Sequence, residues 1–518
     1  MPILITAVLL LGTAAALAIL RVFRARFRFR WLLGVAATTA AWQSVLLWLP
    51  QLPLNLVVPL WQSAGSPNSF PTFMVSSVSW PYAFSLVTTV LAVLLTAPAR
   101  SDFPSPPSWA LCLAVAGLGM LAAAAEGPLT LVLFWAGLDL VEAGVMLARA
   151  EIRSSSRQVL FAFTMRLGGM ALALLALALG HAAEAATGFG AIQGPGALLL
   201  AGAALLRLAA LAIPWPISNA STRPDAVGTT LHLAAGASAV AFLSQLRPEA
   251  QNDAFPLLAV CACAALYAGW MWLRAPDAFS GRPLWMMGAG SLAVAGALRG
   301  NPVSATAWGS AMLLAGCPLF LTAIRERWMN RALLLGLWIS SALPFALTST
   351  AWGGGGGALD WMTPVFLIAQ SMLLAGFLHR ALRPEIDPSA QIGMASLRGI
   401  YLFGIGLPLA VGVLLGFWGW PGAFQLGVPF AGVVVVLMVG ALTWAKRRFA
   451  SLNPVSTHWI PPAWNRATAA ALREASRVQA GVQRIANAVT RTIEGEAGIM
   501  WSLLLLVLFV SLIAGRER

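Results

Sequence analysis

The chain has 518 residues, of which 59% are hydrophobic and only 10% charged, and its mean hydropathy is +0.80. A soluble domain carries about 25% charged residues, and one of this size could not hide so much apolar surface. The composition therefore excludes soluble enzymes, nucleic-acid binders and disulfide scaffolds, and points to a polytopic membrane protein. The net charge is +14, and the 32 cations are 31 arginines and a single lysine, Lys446. Arginine is essentially never deprotonated in a protein, so the skew restricts the proton chemistry open to the chain.

Sixteen stretches are apolar enough to span, near residues 2–20, 31–49, 80–97, 108–124, 128–148, 158–180, 195–213, 227–245, 254–273, 284–299, 303–323, 331–350, 360–382, 398–418, 426–445 and 498–514. About 20 residues cross a bilayer core, and backbone hydrogen bonds must close internally in lipid, so these are predicted helices. The charges of the first span follow its apolar run, so it reads as a retained helix and not as a cleaved signal peptide. With the N-terminus outside, the inner segments receive 26 of the 32 cations and the outer ones four: Arg247, Arg299, Arg516 and Arg518. That bias predicts both termini outside a cell's inner (cytoplasmic) membrane.

The uncharged segment 51–79, rich in Pro, Ser and Asn, reads as an ordered outer loop packed on the bundle, and the Gly353–Gly357 run as a flexible one. In the tail, Val478, Val482, Ile485, Val489 and Ile493 form an apolar stripe at steps of 4, 3, 4 and 4. This predicts an amphipathic helix of about 30 residues, roughly 45–48 Å long, on the inner interface. It reads either as a connector to the last span or as a strut between neighbouring subunits.

The ionisable groups expected at depth are Asp139 and Glu142 in the fifth span, Arg166 in the sixth, Arg207 in the seventh and His232 in the eighth. The two acids are i,i+3 and share a helix face. The economical arrangement is a buried network in which the two arginines neutralise the two carboxylates. Two readings stay open: ion pairs that fix helix packing, or part of a proton or cation path, with His232 able to titrate near neutral pH. Prolines interrupt two spans at depth, at Pro214-Trp215-Pro216 and at Leu343-Pro344-Phe345. Such paired breaks point to an internal repeat around an ion path. Cys112, Cys261, Cys263 and Cys317 show no metal-ligand spacing, and no phosphate loop, dinucleotide fingerprint or nucleophile elbow is present. No cofactor, metal or catalytic residue is expected in this chain.

The pattern resembles the antiporter-like membrane subunits of respiratory complex I, multi-subunit cation/proton antiporters and membrane-bound hydrogenases. The residues that carry the resemblance are Phe134-Trp135-Ala136-Gly137, the run Phe163–Gly169 with its arginine, and Gly202 through Arg207 to Trp215, Asn219-Ala220 and His232. The proline-containing stretch Ser340–Thr350 and the lateral helix before a last span add to it. The resemblance implies fourteen core helices in two inverted five-helix repeats with broken helices, which with the sixteen apolar stretches gives an all-α protein of about 16 spans. Its segments would be 1–97 (spans 1–3 and outer loop), 108–245 (first repeat), 254–382 (second repeat), 398–445 (two more spans), 446–497 (lateral helix) and 498–518. It also implies a proton path through a glutamate, lysines in the broken helices and a relay. This sequence departs there. The family's glutamate position is Ala136, with Asp139 one turn on; its seventh-helix lysine position is Arg207; the acid of the sixth-helix motif is Gly169; an earlier acid is Ser76. The spans between 284 and 359 hold no Asp, Glu, Lys or His.

The resulting expectation is a subunit of an ion-translocating, energy-converting membrane complex with a partly degenerate path. Asp139, Glu142, Arg207 and His232 form the path and Arg166 is the supporting charge. The expected partners are other membrane subunits, the lipid bilayer and H+ or Na+, without nucleic acid. Whether the complex is a redox-driven, NADH-quinone oxidoreductase-like enzyme stays open. The alternatives are a structural or assembly subunit with an inactive channel, and a stand-alone secondary transporter or inorganic-carbon uptake partner.

Overall fold

The structure is a computed structural model that describes residues 2–23, 29–61, 70–99, 106–149, 156–182, 188–212, 226–246, 254–322, 327–352, 361–382, 395–418 and 429–449. Fifteen α-helices lie among them: α1 (Pro2–Phe23), α2 (Arg30–Trp48), α3 (Trp80–Thr96), α4 (Pro106–Ala123), α5 (Pro128–Arg149), α6 (Ser156–Ala182), α7 (Pro195–Ala212), α8 (Ala226–Val240), α9 (Phe255–Arg274), α10 (Ala278–Leu298), α11 (Pro302–Leu321), α12 (Arg327–Ile339), α13 (Thr363–Ala381), α14 (Ala395–Trp418) and α15 (Pro429–Phe449). Among the described residues seven helices are long and apolar enough to cross a membrane, so the protein is an all-α multi-pass membrane protein. The predicted sixteenth span, the amphipathic tail helix, the Gly353–Gly357 loop and the Pro214-Trp215-Pro216 break lie outside the described residues. Residues Met1–Trp444 form one structural unit and Ala445–Arg518 another.

Helices that are apolar on every side are those the bundle surrounds. Every residue of α3 is buried, and nearly all of α11. Helix α3 packs against α2, α4, α8, α11 and α14, and α11 packs against α3, α8, α10, α12 and α14. Aromatic polar atoms pin these inner helices by bonding to backbone oxygen. The Tyr82 hydroxyl donates to the Ala305 carbonyl at 2.7 Å, and the Trp285 indole to that of Met312 at 3.0 Å. Away from bulk water, each such bond spares a buried polar group a penalty of about 1–3 kcal/mol. The outer helices α1, α2, α6, α9 and α15 keep large apolar side chains exposed, among them Val8, Leu47, Leu167, Tyr267 and Leu437.

The outer loop predicted at 51–79 contains a β-hairpin. Leu54–Trp61 (β1) pairs antiparallel with Phe70–Val75 (β2), in the register Leu54↔Val75, Asn55↔Met74, Leu56↔Phe73 and Val57↔Thr72. Alternation explains its seat: Leu56, Phe73 and Val75 face inward and Val57 outward. The free edge of β2 is covered by the α4–α5 connection, since Met74 N–H donates to the Ala124 carbonyl and Glu126 N–H to that of Thr72.

The tenth span starts earlier than predicted, at Ala278, because the Asp277 carboxylate caps the N-terminus by accepting from Ser280 N–H. Arg282, expected in an inner loop, therefore sits within α10. The twelfth span, expected as 331–350, is helical only to Ile339. Ala342 and Phe345 on either side of Pro344 have φ of 60° and 64°, and a 3-10 turn follows at Leu347–Ala351. Two non-glycine residues in the left-handed region are a costly conformation, of about 1–3 kcal/mol each.

Candidate functional site: a neutralised charge cluster across three helices

Helical spacing puts Asp139 and Glu142 on one face of α5, and α6 and α7 each present one arginine to it. The Arg207 guanidinium holds Asp139 in a two-pronged pair, with Nη1 to Oδ2 at 3.0 Å and Nη2 to Oδ1 at 2.7 Å. Arg166 grips Glu142 the same way, with Nη2 to Oε1 at 2.7 Å and Nη1 to Oε2. Arg166 Nη1 also lies 3.7 Å from Asp139 Oδ1, which joins the two pairs into one cluster. All four side chains are at most 10% exposed. Two cations and two anions leave the cluster formally neutral, which is how four charges can persist out of water.

The local sequence prepares this geometry. Trp135, one turn before Asp139, lies under the Arg207 guanidinium at 4.3 Å from its ring centre. Phe163, one turn before Arg166, does the same for that arginine at 5.7 Å. Such cation–π contacts add attraction where water is excluded. The Trp135 indole donates to the Ser238 carbonyl at 3.3 Å and so ties α5 to α8. Gly169 is the device that closes α6 on α7: a Cβ there would meet Arg207 Cγ at 2.9 Å and the Ala203 carbonyl at 3.1 Å. The acid expected at this position from the family resemblance would collide with the stem of Arg207.

His232 is buried on α8, one turn beyond Thr229. Its Nδ1 lies 2.7 Å from the Gly228 carbonyl. A carbonyl can only accept, so Nδ1 carries a proton and Nε2 is the nitrogen open to proton exchange when the ring is neutral. Arg282 of α10 reaches across to Thr229, with Nη1 to Oγ1 at 2.7 Å, and the charges of both Arg282 and Arg166 act on the imidazole. The histidine is thus within electrostatic reach of Arg166 of the cluster and of Arg282 of α10.

Sequence reasoning missed two cations that fold back onto helix ends. Arg380 was counted among inner-loop charges; it is 1% exposed at the end of α13. It donates to the Gly376 carbonyl at 2.9 Å, to the Ala275 carbonyl at 2.8 Å and to the Trp272 carbonyl, with its guanidinium 3.7 Å over the Trp272 ring. It therefore caps the C-terminus of α9, where unsatisfied carbonyls favour a cation. Arg299, expected in an outer segment, ends α10 with its guanidinium 4.8 Å over Phe366. A terminal arginine reads as a loop charge in sequence, because only packing shows whether it folds back. Pro344 lies in the broken stretch after α12, whereas Pro214 and Pro216 lie outside the described residues. Among the described residues no group of His, Cys, Asp and Glu could hold a metal ion.

Fold and site together define a multi-pass membrane protein whose consecutive helices share a charge-balanced core. Solved structures have the same fold. A chain of the Mrp complex from Dietzia sp. DQ12-45-1b aligns over 100% of this chain and 63% of its own length, with a TM-score of 0.68 and 15% identity. A chain of respiratory complex I from Thermus thermophilus matches 79% of this chain and 97% of its own length, with a TM-score of 0.57 and 19% identity. A chain of the membrane-bound sulfane sulfur reductase, an archaeal respiratory membrane complex, covers 98% and 99%, with a TM-score of 0.58 and 13% identity. The chain thus spans a little under two thirds of the length of the Mrp chain. No family profile and no curated relative matches the sequence. The structural resemblance expected from the motifs is therefore present over nearly the whole chain, in fold.

Proposed function

We propose that this chain is an antiporter-like subunit of an ion-translocating, energy-converting membrane complex of the complex I, hydrogenase or cation/proton antiporter type, and takes part in moving protons or cations. The observation that carries the reading is the Asp139–Glu142–Arg166–Arg207 cluster with His232 beside it. Intramembrane charges are retained at high cost and ordinarily serve ion movement. Arginine holds its proton, so Arg166 and Arg207 act as fixed charges that set the field. The exchanging groups are Asp139, Glu142 and His232. Protonation of Glu142 would weaken its hold on Arg166, which already lies within 3.7 Å of Asp139. The guanidinium would then lean to Asp139, loosen the Asp139–Arg207 pair, and change the field at His232. The path is partly degenerate, since the lysines that the resemblance implies are replaced or missing. We place the protein in the inner membrane with the N-terminus outside, its helices in two inverted repeats, and other membrane subunits beside it.

The second reading is a structural subunit. It is favoured by the closed, two-pronged geometry of both ion pairs, which fits a lock as well as a relay. Ion flux of the whole complex in proteoliposomes separates the two. Asp139→Asn, Glu142→Gln and His232→Ala are expected to reduce flux at least tenfold while the complex still assembles. Unchanged flux in all three would leave only the structural role.

A further inference from the structure

One end of the second group of helices, α9 to α13, is filled by aromatic rings. Trp272 near the end of α9, Trp285 of α10, Phe320 at the end of α11 and Phe377 of α13 are each at most 2% exposed. Ring centres lie 6.0 Å apart for Trp272 and Trp285, 6.3 Å for Trp272 and Phe320, and 5.6 Å for Trp285 and Phe377, so the four form one run of contacts. The surrounding helices seat these rings on glycines. A Cβ at Gly281 of α10 or Gly376 of α13 would collide with the Trp272 ring. One at Gly316 of α11 would meet the Trp285 indole at 2.5 Å, and one at Gly336 of α12 would meet Phe377 at 2.8 Å. Both indole N–H groups are spent on backbone oxygen, Trp272 on the Leu373 carbonyl at 2.9 Å and Trp285 on that of Met312 at 3.0 Å. The rings therefore turn carbon toward one another at the density of a close-packed interior. A buried water needs several polar partners, and these ring faces present none.

We infer that Trp272, Trp285, Phe320 and Phe377 form a fixed hydrophobic seal, locked by Arg380, that closes the α9–α13 half of the bundle to water and cations at the end where α9 and α13 stop and α10 begins. Arg380 is the lock because its guanidinium, 3.7 Å over the Trp272 ring, bonds carbonyls on both sides of it. It donates to Gly376 of its own helix, to Trp272 and Ala275 at the end of α9, and through Nε to Asp277 at 3.3 Å, so α13 is tied to the α9–α10 connection. Apolar constrictions stop ions by shedding water. A cation approaching this end also meets an arginine that keeps its charge. Residues 284–323 contain no Asp, Glu, Lys or His to pass a proton past the rings. Toward the first group of helices, a Cβ at Gly236, one turn beyond His232, would collide with the Met286 methyl and meet that of Met312 at 3.3 Å, so this seam is apolar and closely packed as well. The consequence for transport rests on the translocation reading: an ion moved by this chain passes this end of the bundle through α4–α8. The seal itself does not depend on that reading.

The test is the rate at which a small cationic thiol reagent, methanethiosulfonate ethyltrimethylammonium, reaches a cysteine placed behind the rings. Leu373→Cys is the probe, since Leu373 is 2% exposed, lies one turn inward of Phe377, and its backbone carbonyl holds the Trp272 indole. The full-length protein is used in its complex, in sealed membrane vesicles, with its four native cysteines replaced by alanine. Ser280→Cys, exposed at the start of α10, marks the correct face and supplies the reference rate. With the rings intact, Leu373→Cys is expected to react at least a hundredfold more slowly than Ser280→Cys from that face. Adding Trp272→Ala is expected to speed it at least tenfold, whereas Trp272→Phe, which keeps a ring, leaves it slow. Phe377→Ala, which leaves the Arg380 contacts in place, should also speed it and guards against loss of fold in the Trp272 variant. Reaction at the reference rate with intact rings overturns the seal. An unchanged slow rate in both alanine variants overturns it too, because the rings would then not be the barrier. Labelling needs no ion movement, so a slow Leu373→Cys with unaffected flux in the Asp139, Glu142 and His232 variants would sink the translocation reading and leave the seal standing.

Discussion

At the scale of single residues, the decisive fact is that Arg166 and Arg207 each grip one carboxylate with two nitrogens and rest on an aromatic ring. Removing one partner leaves an uncompensated charge in a dry bundle. Arg207→Ala or Arg166→Ala should therefore destabilise the protein by about 3–5 kcal/mol. The double variant Arg207→Met with Asp139→Leu should recover most of that loss, because it removes both charges at once. Unfolding of the four species in detergent, treated as a double-mutant cycle, measures the difference. Gly169→Leu should separate α6 from α7 and abolish assembly, read by co-purification of the complex; normal assembly would show that α6 can move away from Arg207. The acids and arginines, and their mutual neutralisation, were legible in the sequence, since so few charges fall in apolar runs. Which arginine takes which acid was not, because helix rotation decides it. The Trp135 and Phe163 contacts were equally hidden: an aromatic residue in a span looks like any other apolar one.

At the scale of elements, the break after α12 shows how a membrane helix can end in mid-bundle. Proline at 344 cannot continue the hydrogen-bond ladder, and Thr348 and Gln370 take over the freed backbone groups. Gln370→Ala removes two buried bonds and should destabilise the protein by about 1–3 kcal/mol, read from its unfolding midpoint. Ala342→Gly relieves a left-handed alanine and should stabilise by about 1 kcal/mol in the same measurement. A glycine of α15 makes room for this backbone, since a Cβ at Gly432 would meet the Ala342 carbonyl at 2.7 Å. Gly432→Leu should thus push α15 off the bundle, seen as increased proteolysis in the membrane. The proline announced the break at 344. The exact last helical residue and the two positive-φ positions are set by packing against other helices, and the partner Gln370 comes from α13, so no local pattern encodes them. The hairpin at 54–75 was similarly legible only as an ordered loop. Pro59 and Pro71 sit within its strands, which local propensity counts against a sheet.

At the scale of the whole molecule, the chain has the fold of chains in three membrane complexes while sharing under 20% of their residues. In a bilayer this divergence is tolerable: apolar residues exchange freely on helix faces, while packing depends on where small and polar residues fall. The proposed orientation predicts that a single cysteine placed at residue 2 in a cysteine-free background reacts with an impermeant thiol reagent in intact cells. Reaction only after lysis would reverse the assignment of inside and outside. The proposed partnership predicts that affinity purification in mild detergent retains other membrane subunits in fixed ratio.

Composition and arginine placement alone were sufficient to establish a multi-pass membrane protein and most of its helices. Hydrophobic transfer and backbone hydrogen bonding act segment by segment, and each segment carries its own signal. The identity of the buried charges was readable for the same reason. Their pairing, the aromatic surfaces beneath the arginines, the folding back of Arg282, Arg299 and Arg380, and the oxygen-lined break in α12 were decided by tertiary structure. Most are contacts between different helices, fixed by rotation and depth, and neither quantity is written in the sequence of one helix.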